Sequence, residues 1–62
     1  MPLIEIRLLR GRTTEQKQDL LRAVHRAVRE SIGAPDASIR IWIHELAPEE
    51  YSAGGRLKSE AD

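Results

Sequence analysis

Two runs with a two-residue period enclose one segment with a helical period, and a chain ordered in that way has few folds open to it. From Leu3 to Leu9, Ile4, Ile6 and Leu8 fall on one face, while Glu5 and Arg7 fall on the other with Leu3 and Leu9. Further on, Ile39, Ile41 and Ile43 alternate with Arg40, Trp42 and His44. Such alternation specifies strands. Between them Leu20, Leu21, Val24, Ala27, Val28 and Ile32 recur at the spacing of one helical face, which predicts a helix from about Glu15 to Ile32. A strand, a helical crossover of roughly 20 residues and a second strand make a βαβ unit, hence parallel strands joined by a right-handed connection. The expected fold class is therefore α/β (α+β), with a β-α-β protomer.

Local signals mark the ends of these elements. Gly11 closes the first run. Thr13 followed by Gln16 is the pattern of a capping box, and Glu15 suits the positive end of the helix dipole. Gly33 is placed to end the helix and Pro35 prevents its resumption. Ala47 to Glu50 reads as a loop. Tyr51 to Leu57 predicts a short hairpin turning at Gly54-Gly55, where positive φ is easily adopted. No repeat or linker interrupts residues 1–62, which are expected to form a single domain.

One helix can cover only one face of a two-stranded sheet, and such an assembly is not stable alone. The core of a chain of 62 residues rarely supplies more than about 3–5 kcal/mol. There is no cysteine, so disulfides, thiolate metal sites and thiol nucleophiles are excluded, and two histidines are too few for a convincing metal site. Neither a metal nor a cofactor is expected. Oligomerisation remains as the route to stability, with the face that carries Trp42 meeting another subunit. Ten basic and ten acidic residues balance without forming blocks, which argues against a nucleic-acid partner. No stretch has the roughly 18 to 20 apolar residues of a membrane span, and none resembles a signal peptide. The expected location is cytoplasmic.

Pro2 is the candidate for chemistry. Initiator methionine is normally trimmed before a small side chain, and the chain would then begin with a secondary amine at the head of a strand. A terminal amine needs only a modest pKa shift to titrate near neutrality, where a general base works best.

With Pro2 heading a strand, further pieces fall in order: Gly11-Arg12-Thr13 with Glu15-Gln16-Lys17 at the helix start, Gly33-Ala34-Pro35 after it, Ser38-Ile39-Arg40, and Tyr51 through Gly54-Gly55. This order and spacing resemble the 4-oxalocrotonate tautomerase family over nearly the whole chain. The resemblance implies dimers with a four-stranded sheet and a hexamer built as a trimer of dimers. It also implies a small carboxylate substrate, Pro2 as general base, Arg12 and Arg40 as substrate clamps, and a pocket including Tyr51, Leu9 and Ala53.

Those roles suit the chemistry. Moving a double bond between a 2-hydroxy-dienoate and its keto isomer requires one base to take a proton and return it elsewhere. Burial and nearby cations both depress an amine's pKa, and an arginine holds a carboxylate bidentately. Arg40 is assigned to the carbonyl oxygen and one carboxylate end, Arg12 to the distal carboxylate. Trp42 and His44 are expected at a subunit interface, and His25 on an exposed or edge position of the helix.

The chain departs from the family's usual pattern at Arg10, where an acidic residue is common, at the bulky Trp42, at the smaller Ala53, and in its acidic end Glu60-Ala61-Asp62. Two alternatives stay open. A chain that keeps Met1 has no free amine, and would be a non-catalytic or heteromer-forming member. A hydratase resembling the 3-haloacrylate dehalogenases is disfavoured, because Glu49 and Glu50 lie near the loop position of that activity without matching it.

Overall fold

In the computed structural model, which describes residues 1–58, β1 spans Leu3–Leu9, α1 Thr14–Ile32 and β2 Arg40–Leu46. Two-residue strands β3 (Ser52–Ala53) and β4 (Arg56–Leu57) follow. The acidic end at 60–62 lies outside the described residues. β1 and β2 pair in parallel from Leu3 opposite Arg40 to Leu9 opposite Leu46. The Arg40 N–H donates to the Pro2 carbonyl at 3.1 Å and the Arg10 N–H to the Leu46 carbonyl at 2.8 Å, which extends the ladder at both ends. The parallel pair that the βαβ order demands is present.

The helix begins as its sequence specifies. Thr13 has extended backbone (φ −72°, ψ 161°), and its hydroxyl accepts from the Gln16 N–H at 3.1 Å. The Gln16 amide oxygen accepts from the Thr13 N–H at 3.0 Å, which completes the capping box. At the other end Gly33 takes φ 70°, a left-handed conformation costly to residues with a Cβ, and its N–H reaches the Arg29 carbonyl at 3.0 Å.

The alternation in each strand resolves into an inner and an outer face. Ile4, Ile6, Leu8, Ile41 and Ile43 are half-buried, as are Leu20, Leu21, Val24 and Val28 of the helix. The opposite face leaves Leu3 65% and Trp42 44% exposed. Only Ile39 and Ala47, at the two ends of β2, are buried outright among the described residues. The stripe on the helix is narrower than its sequence suggests: Ala27 is exposed and Ile32 is 65% exposed. Both lie at the edge of the stripe or past the end of the sheet, where a two-stranded sheet offers nothing to cover them.

Three boundaries differ from expectation. β2 starts at Arg40 rather than Ile39, because a 3-10 turn over Asp36–Ser38 holds the Ile39 N–H on the Asp36 carbonyl at 3.2 Å. It also runs on to Leu46, past the last residue of the isoleucine alternation. The expected loop at 47–50 contains a 3-10 turn at Pro48–Glu50, started by the fixed φ of Pro48.

The hairpin turns at Gly54 (φ 63°) and Gly55 (φ 83°), the two positive angles that a two-residue type I′ turn requires. Its residues are exposed throughout. The molecule measures 43 × 24 × 15 Å with a radius of gyration of 14.8 Å. A compact chain of this length would have a radius of about 11 Å.

Thr13→Ala is expected to cost about 1 kcal/mol through loss of the cap, read as a lower urea midpoint at fixed protomer concentration.

Candidate active site

The parallel register decides which site residues share a chain end. Pro2 precedes β1 and is half-buried, and Arg40 opens β2 across from Leu3, so both stand at the same end of the sheet. Arg40 is exposed, and its Nη1 donates to the Ala37 carbonyl at 2.6 Å. That bond satisfies a carbonyl of the turn before β2 and fixes the guanidinium while leaving other N–H donors for a ligand.

Arg12 sits at the other end. Leu3 to Leu9 spans about 20 Å at strand rise, and Arg12 lies beyond it in the turn leading to the helix. It is exposed, and it lines a cavity of about 210 Å³ with Leu8, Gln16, Lys17 and Leu20. Leu9 is half-buried at this same end, opposite Leu46. Tyr51 is 40% exposed, and Ala53 pairs with Arg56 in the hairpin. The hairpin follows from the end of β2, so it too departs from the Arg12 end. The structure therefore sets Pro2 and Arg40 at one end of the sheet and Arg12 and Leu9 at the other, with the hairpin that carries Tyr51 and Ala53 following from the latter end of β2. No single chain gathers all six.

Two charged clusters went unmarked in the sequence. Lys17 Nζ and Glu45 Oε2 meet at 3.2 Å, with side chains 28% and 27% exposed. This pair ties the first turn of α1 to β2 beside the Arg12 cavity. A signal existed: Glu45 continues the parity of Ile39, Ile41 and Ile43, and Lys17 stands three residues before Leu20 on the inner stripe.

The second cluster lies on the uncovered sheet face. The Trp42 indole N–H donates to Glu5 Oε2 at 3.3 Å, Arg7 donates to Glu5 Oε1 at 3.3 Å, and His44 Nδ1 lies 3.6 Å from Oε2. Register places Glu5 opposite Trp42 and Arg7 opposite His44. The indole hydrogen bond holds the Glu5 carboxyl below the usual carboxylate range. Partial desolvation opposes this, and the Arg7 hydrogen bond, the Arg7 charge and the His44 charge add to the lowering. Because the pKa is lowered on folding, the stabilisation is present above the ordinary glutamate value and is lost as pH falls through the lowered one. His25, half-buried at the helix edge, is occupied with Asp36 at 2.9 Å.

Trp42→Phe, which removes the indole donor, is expected to raise the Glu5 pKa towards its ordinary value. A carbon-detected NMR titration of the Glu5 carboxyl checks this.

A family model described as "Tautomerase enzyme" matches residues 2–61. The 2-hydroxymuconate tautomerase of Comamonas testosteroni is 42% identical over 55 residues, covering 89% of this chain and 87% of that protein. Among solved structures, YwhB, a homologue of 4-oxalocrotonate tautomerase, superposes with a TM-score of 0.94 at 34% identity, covering 98% of this chain and all of that one. A heterohexamer 4-oxalocrotonate tautomerase from Chloroflexus aurantiacus J-10-fl has a TM-score of 0.92 at 37% identity, with both chains covered in full.

Proposed function

This chain belongs to the tautomerase family and is by that membership an isomerase, and we propose that it moves a proton in a 2-hydroxymuconate-like enol acid with Pro2 as the base. The observation that carries the reading is the register: Pro2 and Arg40 share one end of the sheet, with the Arg40 N–H bonded to the Pro2 carbonyl at 3.1 Å.

Once Met1 is removed, the Pro2 nitrogen is a secondary amine on a rigid strand. Nearby guanidinium groups disfavour its ammonium form and bring its pKa down towards neutrality. The uncharged amine takes the proton of the substrate's 2-hydroxyl group, the double bonds shift along the chain, and the ammonium formed returns a proton to carbon. Atoms and charge balance with no further reactant. Negative charge grows on the 2-oxygen as the proton leaves, and Arg40 stabilises it while holding the neighbouring carboxylate. Arg12 holds the distal carboxylate, and Tyr51, Leu9 and Ala53 wall the pocket.

Arg12 stands about 20 Å from Pro2 and Arg40 along β1, beyond the reach of one small substrate. The site is accordingly completed by a second copy, which brings its Arg12 end against the Pro2 end of the first. A homo-oligomer, a hexamer made as a trimer of dimers, supplies that contact. It also covers the Trp42 face and the hairpin.

Protein from its native host is expected to lack Met1 by intact mass, and Arg40→Ala to lose about 10²- to 10³-fold in kcat/KM on 2-hydroxymuconate. Unchanged turnover in Arg40→Ala overturns the assignment. Arg12→Ala and Arg40→Ala chains, refolded together, are expected to recover activity that neither shows alone, because an intact site takes each arginine from a different chain.

A further inference from the structure

Resting on the tautomerase reading above, we propose that Arg56, with Lys58 beside it, forms a carboxylate-binding subsite on the hairpin and makes the enzyme selective for dicarboxylate over monocarboxylate enol acids. The argument is one of strand geometry. Ser52 pairs with Leu57 and Ala53 with Arg56, and the Lys58 N–H donates to the Tyr51 carbonyl at 2.9 Å, which continues the ladder by one step. Cross-strand partners project to the same side, and successive residues to opposite sides. Tyr51, Ala53, Arg56 and Lys58 therefore share one face of the ribbon. Any copy that offers Tyr51 and Ala53 to a substrate offers the two cations with them.

The same four side chains and Leu57 line a cavity of about 280 Å³. Ala53 ends at its Cβ directly across from Arg56, so the partner strand does not crowd the guanidinium. Neither Arg56 nor Lys58 is in an ion pair among the described residues, and Glu49 and Glu50 of the preceding turn are not within ion-pair distance of them. A guanidinium with no ion pair among the described residues, beside an aromatic wall, suits a flat conjugated acid: the ring lies against the carbon chain and the fork takes the carboxylate. The hairpin and Arg12 both leave the sheet at the end opposite Pro2 and Arg40. This assigns the hairpin cations to the carboxylate remote from the reacting oxygen, where binding contributes equally to ground and transition states and is read in KM.

The test is steady-state kinetics of Arg56→Ala on 2-hydroxymuconate, with two carboxylates, and on phenylenolpyruvate, with one. The expected result is a KM about tenfold higher for the diacid, kcat within about twofold, and no change for the monoacid. Arg56→Lys is expected to keep part of the diacid preference. Equal changes for both substrates, or no change for either, overturn the proposal, and in that case loss of activity in Arg40→Ala still upholds the tautomerase reading. Calorimetric titration with cis,cis-muconate, a diacid with no enol to turn over, reads the subsite without catalysis. If the unaltered protein turns over neither substrate, the tautomerase reading falls and the titration decides alone: about tenfold weaker binding to Arg56→Ala supports the subsite, and equal binding overturns it. Arg56→Gln, which keeps a polar side chain but removes the charge and the guanidinium fork, is run in parallel so that a change in assembly of the alanine variant leaves the comparison intact.

Discussion

Everything in this protein depends on seven parallel pairs between β1 and β2. They run from Leu3 opposite Arg40 to Leu9 opposite Leu46, and the Arg40 N–H bonded to the Pro2 carbonyl fixes the register at its start. A slip of one residue would turn Ile41 and Ile43 away from the helix and bring Trp42 and His44 beneath it. The same register sets Pro2 beside Arg40 and puts the length of a strand between them and Arg12. The separation is a product of the fold, since a parallel crossover necessarily sends β1 away from its own start.

A two-stranded sheet under one helix leaves its other face bare, and here that face is not arranged for water. Leu3 and Trp42 stay exposed, and Glu5 gathers Trp42, Arg7 and His44 around one carboxylate. The hairpin is still further from a core, held by its glycine turn and by bonds within its own ribbon. Strand pairing, a capping box and a left-handed glycine give the protomer its shape, while apolar burial within it is slight. In the proposed assembly, the surfaces that are short of cover are also those that complete the site, so folding and catalysis draw on the same contacts between copies.

Much of this was legible because the informative signals are local. Thr13 and Gln16 cap each other across three residues, Gly33 must accept a positive φ, and Gly54-Gly55 can form only a few turns. The isoleucine alternation and the helical stripe each report a period the backbone imposes. The less legible features concern burial and charge. Ala27 and Ile32 match the helical stripe yet lie uncovered, because the stripe is wider than the sheet beneath it. The Lys17–Glu45 pair joins residues far apart in the chain, and polar residues on an apolar face are easily read as the end of that face. On the hairpin, the alternation that carries Arg56 and Lys58 to the side of Tyr51 becomes readable only once the turn fixes the pairing.

The sequence by itself determined the element types, their order and the parallel sense of the sheet, because periodicity, caps and crossover length act within a few residues of their cause. Its motifs also nominated Pro2, Arg12 and Arg40 for the proposed chemistry. Only the tertiary structure decided which of them stand together. Position in space follows from register, and register comes from hydrogen bonds between strands that the chain brings together across more than thirty residues.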